Sequence, residues 1–443
     1  MILSAAVDIN TVYPIASASK SFLSAAVMVL VEQGKIDLDT PIIHYMPDFA
    51  MWNDDSTKNV TVRDALCHRS GLPRHDISLF TNQETSLADM VQKVRFLQPE
   101  WPLRQRFCYQ NHMYGVASLL VEKVSGMAWG DFIKKNIFDP VGMNSGDTQY
   151  AQFVREDDNY ARPMLNVLGL SIKTKTMNPD STGGAGAISA NIRDFLQWGI
   201  LNLNEGAHDA GNIFSPASAK ELHGEQMPIH PGELTPYSIK EVQRAAYGLG
   251  WFVEQYRGTK IVHHGGTITG YKSLVGFVPE KDFAFAVLTN QNNSQAPAAL
   301  GYSFVDLLLG AGNADWNNRF MCFFKESTQK AKTLYDETRV RGKTVPDISG
   351  CEGRYSNPAY GTLTVVEKRG QLFAQMLGSK MKMVPSVKDD FAIDTGLLRL
   401  AIPCKFVREN DGDATALLAK IESSLSEYIV FQKEKSADDG KAD

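Results

Sequence analysis

Between residues 247 and 289 the chain breaks into four short β-rich runs, 247–253, 259–264, 272–279 and 282–289. Glycine, proline and charged turns separate them, the pattern of consecutive antiparallel strands. The residues ahead of them follow a different period. Phe22, Ala25, Ala26, Val29 and Leu30 recur at helical spacing within 18–34, and Gly34 ends the run. Residues 61–67, 112–125 and 191–203 read as helices too, and 297–310 return to helix after the strands. Segregation of this kind predicts an α+β fold in which helices flank an antiparallel sheet.

A chain of 443 residues is long for one core, and two or three domains are expected. Residues 311–345 are polar and charged and read as a helical linker. From Pro346 onward the text turns strand-like: GRYS, GTLTVVEK, QLFAQM, KMKMVPS, FAID, LRLAIP, CKFVRE and EYIVFQK. Turns fall about every ten residues, which predicts a small β-barrel or sandwich. The expected organisation is a catalytic domain over 1–312, a linker over 313–345, a β-domain over 346–435 and a disordered tail over 436–443.

Composition excludes several partners. Net charge is −5 with no basic stripe, so nucleic acid is not expected. No apolar run approaches the ~20 residues of a membrane span, so no membrane partner is expected. The opening MILSAAVDIN lacks a basic region and reaches Asp8 early, which reads as a cytoplasmic protein without a signal peptide. Cys67, Cys108, Cys322, Cys351 and Cys404 are scattered and read as buried thiols in a reducing compartment, not as a zinc site or disulfide framework. With no metal-ligand cluster, phosphate loop or dinucleotide fingerprint, no cofactor and no metal are expected.

Three clusters carry chemistry. Ser17-Ala18-Ser19-Lys20 opens the first helix. Residues three apart on a helix are neighbours, so Lys20 can act as the base a serine hydroxyl needs to become a nucleophile. Tyr109-Gln110-Asn111 precedes another helix. A phenol near a cation relays protons, and the amide holds a carbonyl or the lysine. His263-His264-Gly265-Gly266-Thr267 lies on an expected strand, where glycines admit a close substrate and a following N–H completes an oxyanion hole.

In this order and spacing the clusters resemble the serine β-lactamase and penicillin-binding-protein superfamily, in its class C β-lactamase, D-aminopeptidase and esterase branch. YPIASASKSF, GKIDLDTPI, VTVRDALCHRSGLP, GMAWGDFIKKNIFDPVGM, GGAGAISANIRDF, AAYGLGW and FVPEKDFAFAVLTNQ carry the likeness over about 11–310. ISGCEGRYSNPAYGTLTV resembles the start of the lipocalin-like β-domain often appended to such hydrolases. The resemblance implies a β-lactamase/transpeptidase-like fold with an all-helical subdomain. It implies Ser17 as nucleophile, Lys20 as base or relay and Tyr109 as second acid/base. Asn111, His264, Gly265, Gly266 and Thr267 would contact substrate, with Ser17 and Thr267 N–H groups forming the oxyanion hole. His263 also fits H-x-G; the spacing to Gly270 favours His264, and adjacent strand residues face opposite ways.

The expected activity is acyl-serine chemistry on a small-molecule or peptide substrate: hydrolysis of an ester, amide or peptide. Acyl transfer in secondary metabolism and a catalytically idle scaffold are the alternatives. Three departures from the family stand out. Ser17 comes some fifty residues early, so strands that usually cover one sheet edge are missing. A histidine replaces the third-box lysine, which counts against a dedicated β-lactamase. Leu103-Arg104 replaces the usual Pro-Gly, adding a cation near the pocket. The exposed edge is expected to be covered by residues 1–12, by the β-domain or by a second subunit, a symmetric dimer being the simplest outcome.

Overall fold

A computed structural model describes residues 6–151, 159–167, 170–233, 239–312, 314–339, 346–376, 378–386, 389–396, 400–409 and 412–435. The tail read as disordered, 436–443, lies outside them, as do 1–5, 313 and 340–345. The chain divides into two compact units. One comprises Met1–Leu72, Gln83–Arg95 and Trp101–Phe323; the other comprises Pro73–Asn82, Phe96–Glu100 and Phe324–Asp443.

The first unit begins with strand β1 (Val12–Pro14) and helix α1 (Ser19–Glu32), then α2 (Val62–Leu66) and α3 (His112–Ser125). A hairpin of β2 (Met164–Val167) and β3 (Leu170–Lys173) follows, then β4 (Ser189–Asn191) and α4 (Ile192–Leu203). The sheet is built from β5 (Met227–Ile229), β6 (Val242–Tyr247), β7 (Phe252–Tyr256), β8 (Thr259–Ile268), β9 (Tyr271–Val278) and β10 (Phe283–Thr289). These six run antiparallel in the order β10-β9-β8-β7-β6-β5. Helix α5 (Ala296–Leu309) and the start of α6 (Trp316–Thr338), as far as Phe323, complete the elements of this unit.

The helices cover both faces of the sheet, as the sequence pattern predicts. A Cβ at Gly199 of α4 would meet Val275 at 3.1 Å, so that helix lies close on one face. On the other face Ala299 and Val305 of α5 share a core with Tyr256, Ile261 and Phe285. Trp316 and Phe320 of α6 belong to that core as well, so the start of the segment read as a linker is buried structure.

One strand assignment is corrected. Residues 247–253 do not form a strand: Tyr247 ends β6, Phe252 begins β7, and the turn between them is buried. Its Tyr247, Leu249 and Trp251 read as strand residues because they are apolar and inside, not because the chain is extended there. Gly250 has φ +79°, and a Cβ there would lie 2.7 Å from the Lys20 carbonyl oxygen, so the turn is pressed onto α1.

The sheet has two edge strands, the three-residue β5 and the longer β10, which is hydrogen-bonded to β9 and, among the described residues, to no other strand. Among the described residues of the N-terminal segment none pairs with it: β1 pairs with β4 instead, Val12 opposite Asn191, while residues 1–5 lie outside the described residues.

In the second unit eight antiparallel strands close into a barrel: β11 (Gly353–Asn357), β12 (Gly361–Glu367), β13 (Leu372–Met376), β14 (Ser379–Pro385), β15 (Phe391–Asp394), β16 (Ala401–Arg408), β17 (Ala414–Ala419) and β18 (Ile429–Lys433). LRLAIP and CKFVRE meet in the single strand β16, with 397–399 outside the described residues. The strand missing from the sequence reading is β17, ATALLA, whose alanines and leucines favour helix locally. Two short pieces of earlier chain belong to this unit. His75 Nδ1 lies 2.6 Å from Tyr360 Oη, its backbone N–H donates to Glu422, and Ser78 Oγ donates to the Ala359 carbonyl.

Candidate active site

Ser17 sits in a single 3-10 turn, Ala16–Ala18, that feeds directly into α1. Ala16 holds φ +49°, a strained conformation for a residue with a Cβ. The surroundings enforce it. Ile15 N–H donates to the Ile188 carbonyl at 3.0 Å, and Ser273 Oγ donates to the Ile15 carbonyl at 2.7 Å. Ser19 Oγ donates to the Ala16 carbonyl at 2.6 Å. The turn thus holds Ser17 partly exposed amid buried neighbours.

One helical turn on, Lys20 has no exposed surface. Its Nζ lies 3.2 Å from Ser17 Oγ, 2.8 Å from Asn111 Oδ1 and 2.7 Å from the Ala185 carbonyl oxygen. The last two can only accept. An ammonium here would donate to all three. A neutral amine would give its two hydrogens to Asn111 and Ala185 and turn its lone pair toward the serine O–H.

Asn111 caps the start of α3, and the loop ahead of it is tied to His68. Cys108 N–H donates to the His68 carbonyl at 2.8 Å and Gln110 N–H to His68 Nδ1 at 3.1 Å. The buried Tyr109 ring stacks parallel to Phe252, centroids 6.4 Å apart. Lys20 Nζ lies 4.8 Å from the Tyr109 ring centroid and 5.2 Å from that of Tyr114, so two aromatic rings wall the amine.

The third cluster lies on β8, and alternation separates its histidines. His263 turns to the α5 side, its Nε2 3.5 Å from Glu254, a carboxylate that also accepts from Tyr302 Oη. His264 turns to the nucleophile's side and is buried. Its Nδ1 is 2.6 Å from the Gly265 carbonyl oxygen and its Nε2 is 2.9 Å from Tyr247 Oη. A carbonyl only accepts, so Nδ1 carries the proton and Nε2 accepts from the tyrosine. Burial first, and the Lys20 charge second, hold this imidazole neutral, well below its ordinary pKa.

Strand β8 outruns β7: Phe252 pairs with His263, leaving His264–Ile268 beyond the end of that ladder. A Cβ at Gly266 would overlap the Ile15 carbonyl oxygen, so only glycine lets the strand approach the nucleophile turn this closely. Thr267, one residue on, is exposed.

The structure therefore brings Ser17, Lys20, Asn111 and Tyr109 together, with Gly266 against the turn that carries Ser17. Ala185, Tyr247 and Tyr114 were not singled out from sequence. The signal for Ala185 was the glycine run before it: a Cβ at Gly184 would lie 2.8 Å from Leu23, so GGAGA lies flat on α1 and aims a carbonyl at Lys20.

Two sequence expectations change. Arg104 is no free pocket cation. It donates Nε and Nη2 to buried Asp64, which Arg69 also engages. Burial pushes the Asp64 carboxyl up, but Arg104, the Thr61 N–H and Arg69 outweigh it and hold it below the ordinary value. Of the five thiols, Cys67, Cys351 and Cys404 are buried, Cys108 is half-buried and Cys322, on the outer face of α6, is exposed. Among the described residues no group of three His, Cys, Asp or Glu side chains is placed to hold a metal ion. No helix there is long and apolar enough to cross a membrane.

Comparison with known proteins places this geometry. The family model described as beta-lactamase matches residues 4–309. An unguisins hydrolase of Aspergillus campestris is 27% identical, covering 96% of this chain and 83% of its own. Penicillin-binding protein 4 of Amycolatopsis lactamdurans is 27% identical over 64% of this chain and 74% of its own. Among solved structures, the octameric penicillin-binding protein homologue from Pyrococcus abyssi superposes with TM-score 0.60 at 21% identity, over 96% of this chain and 89% of that one. The D-amino acid amidase from Ochrobactrum anthropi SV3 superposes with TM-score 0.55 at 21% identity, over 70% and 88%.

Proposed function

This chain belongs to the beta-lactamase family, and from that premise we propose that it is a serine hydrolase acting on an ester, amide or peptide through an acyl-enzyme at Ser17. The observation that carries the reading is Lys20 Nζ at 3.2 Å from Ser17 Oγ, with two pure acceptors on its remaining sides. With its hydrogens given to Asn111 and Ala185, the amine lone pair takes the serine proton as Oγ attacks the carbonyl.

The oxyanion develops toward the N–H groups of Ser17 and Thr267, a kind of contact worth about 10²–10³ in rate per donor. Tyr109 passes the proton to the leaving group, whose bond to the acyl carbon breaks. Water then attacks the acyl-serine, gives its proton back through the same pair and releases the acid. Asn111 keeps Lys20 aimed. His264 spends both ring nitrogens on Gly265 and Tyr247, so substrate meets the backbone of Gly265, Gly266 and Thr267 and not the imidazole. A neutral third-box group favours esters, amides and peptides over β-lactam acids.

The fungal relative is named a hydrolase, which supports water over another acceptor. The complete set of Ser17, Lys20, Tyr109 and Asn111 speaks against an idle scaffold. We also propose self-association of the chain, since the open β10 edge offers a template. Rapid-quench mass spectrometry with p-nitrophenyl butyrate tests the chemistry. A butyryl adduct on Ser17, with a matching burst of p-nitrophenol, is expected. Turnover with no serine adduct at any time would refute the acyl-enzyme.

A further inference from the structure

Tyr109 lies on a loop, outside any helix or strand, and a group that moves a proton has to be held in place. The loop hangs on residues 68–71. Trp101 N–H donates to the Gly71 carbonyl at 3.3 Å, Arg104 N–H to the Arg69 carbonyl at 2.7 Å and Cys108 N–H to the His68 carbonyl at 2.8 Å. Gln110 N–H goes to a side chain instead, donating to His68 Nδ1 at 3.1 Å. The residues on either side of Tyr109 are therefore both held by His68, one through its backbone and one through its ring.

His68 occupies a costly position. It follows Cys67, the C-cap of α2, and has φ +60°. That left-handed place after a helix ordinarily belongs to glycine, which adopts it without strain. Glycine would serve the helix end better; what histidine adds is a ring. The ring is fully buried, 4.2 Å from the Tyr109 ring and 4.6 Å from that of Tyr247, centroid to centroid, so it packs against both. A backbone N–H can only donate, so Nδ1 carries no proton. Backbone strain at a residue that touches the proton-relay tyrosine points to a use in the site.

We propose that His68 is a positioning residue of the proton relay: by accepting from Gln110, its Nδ1 sets the Tyr109 phenol where it can protonate the leaving group. The inference rests on the acyl-serine reading above. For an anilide substrate the Ser17 Oγ–carbon bond forms and the carbon–nitrogen bond breaks. The nitrogen takes the Tyr109 proton, and Lys20 replaces it with the one received from Ser17. Without the ring acceptor the buried Gln110 N–H is left unpaired, and the loop shifts to satisfy it, taking Tyr109 along. The loss falls hardest on a leaving group that must be protonated to depart. A p-nitrophenolate departs as an anion and needs no such proton.

The test compares the wild type, His68→Asn and His68→Gln on p-nitrophenyl butyrate and butyryl p-nitroanilide. Asparagine tolerates a left-handed φ and puts its Oδ1 where Nδ1 stood; glutamine carries the same amide one methylene too far. In His68→Gln, kcat for the anilide should fall ~100-fold or more with KM little changed, while kcat/KM for the ester falls less than ~10-fold. His68→Asn should recover at least ~10-fold of the lost anilide turnover. Equal losses on the two substrates, or equal anilide turnover in the two variants, would overturn the proposal. Should His68→Gln fail to fold by circular dichroism, His68→Gly, which meets the backbone conformation without strain, takes its place. If the wild type acylates Ser17 with neither substrate, the acyl-serine reading falls on its own. In that case, or if only the ester reacts, hydrogen exchange at the Gln110 amide decides the clamp. Slow exchange in the wild type and His68→Asn but fast exchange in His68→Gln upholds it, and equal exchange refutes it.

Discussion

A lysine with no exposed surface survives in a fold only when its hydrogens have acceptors, and Lys20 has Asn111, Ala185 and Ser17 around it. The same accounting fixes the histidines. Burial holds His264 well below its ordinary pKa, and burial with the Lys260 charge takes His223 down to about 3. Unfolded, both would titrate near 6.5. Below that value the unfolded chain binds protons that the native rings refuse, so stability is present above pH 6.5 and is lost as pH falls toward the native pKa values. His223 alone should cost about 2 kcal/mol between pH 7 and pH 5, and His264 adds in the same direction, read by urea melts at each pH. Equal melts at both ends would show that the rings do take up protons in the fold. Sequence singled out Lys20 and His264 but not their states, and it passed over His223. Strand alternation allows only one of His263 and His264 to face the site, and the spacing to Gly270 favoured His264, whereas its tautomer depends on Tyr247, seventeen residues away in sequence and opaque to spacing.

The catalytic elements meet through glycines. Gly266 lets β8 approach the Ile15–Ala16 turn, Gly250 lets the β6–β7 turn approach α1, and Gly184 seats the loop that presents Ala185. Gly266→Ala should push β8 away from Ser17 by something near 1 Å. A misplacement of that size costs about 100-fold in kcat. Ester turnover with circular dichroism as the folding control measures it, and wild-type kcat in a folded variant would show that β8 need not sit this close. At this scale sequence was most legible where periodicity was clean, as in α1, α3 and α4, whose bounds follow the apolar repeat. It failed at 247–253, where buried aromatics in a turn imitate a strand, and at β17, where alanine and leucine carry no strand signature.

For the whole molecule, sequence composition foretold two kinds of architecture, and the chain has both: a helix-flanked antiparallel sheet and a closed eight-stranded barrel. It could not foretell that Pro73–Asn82 and Phe96–Glu100 would join the barrel unit, because the hydrogen bonds of His75 and Ser78 to Tyr360 and Ala359 span nearly three hundred residues. The β10 edge, FAFAVLT, carries no proline or charge of the kind that blunts an exposed strand. Static light scattering should therefore report a dimer or larger assembly, and a clean monomer at tens of micromolar would refute association through that edge. The central claim is the nucleophile, and one measurement reaches it most directly. A fluorophosphonate probe is incubated with the wild type and with Ser17→Ala, followed by peptide mapping. One adduct per chain on Ser17, absent from the variant, is the expected result; an unlabelled Ser17, or equal labelling of the variant, would contradict the serine mechanism.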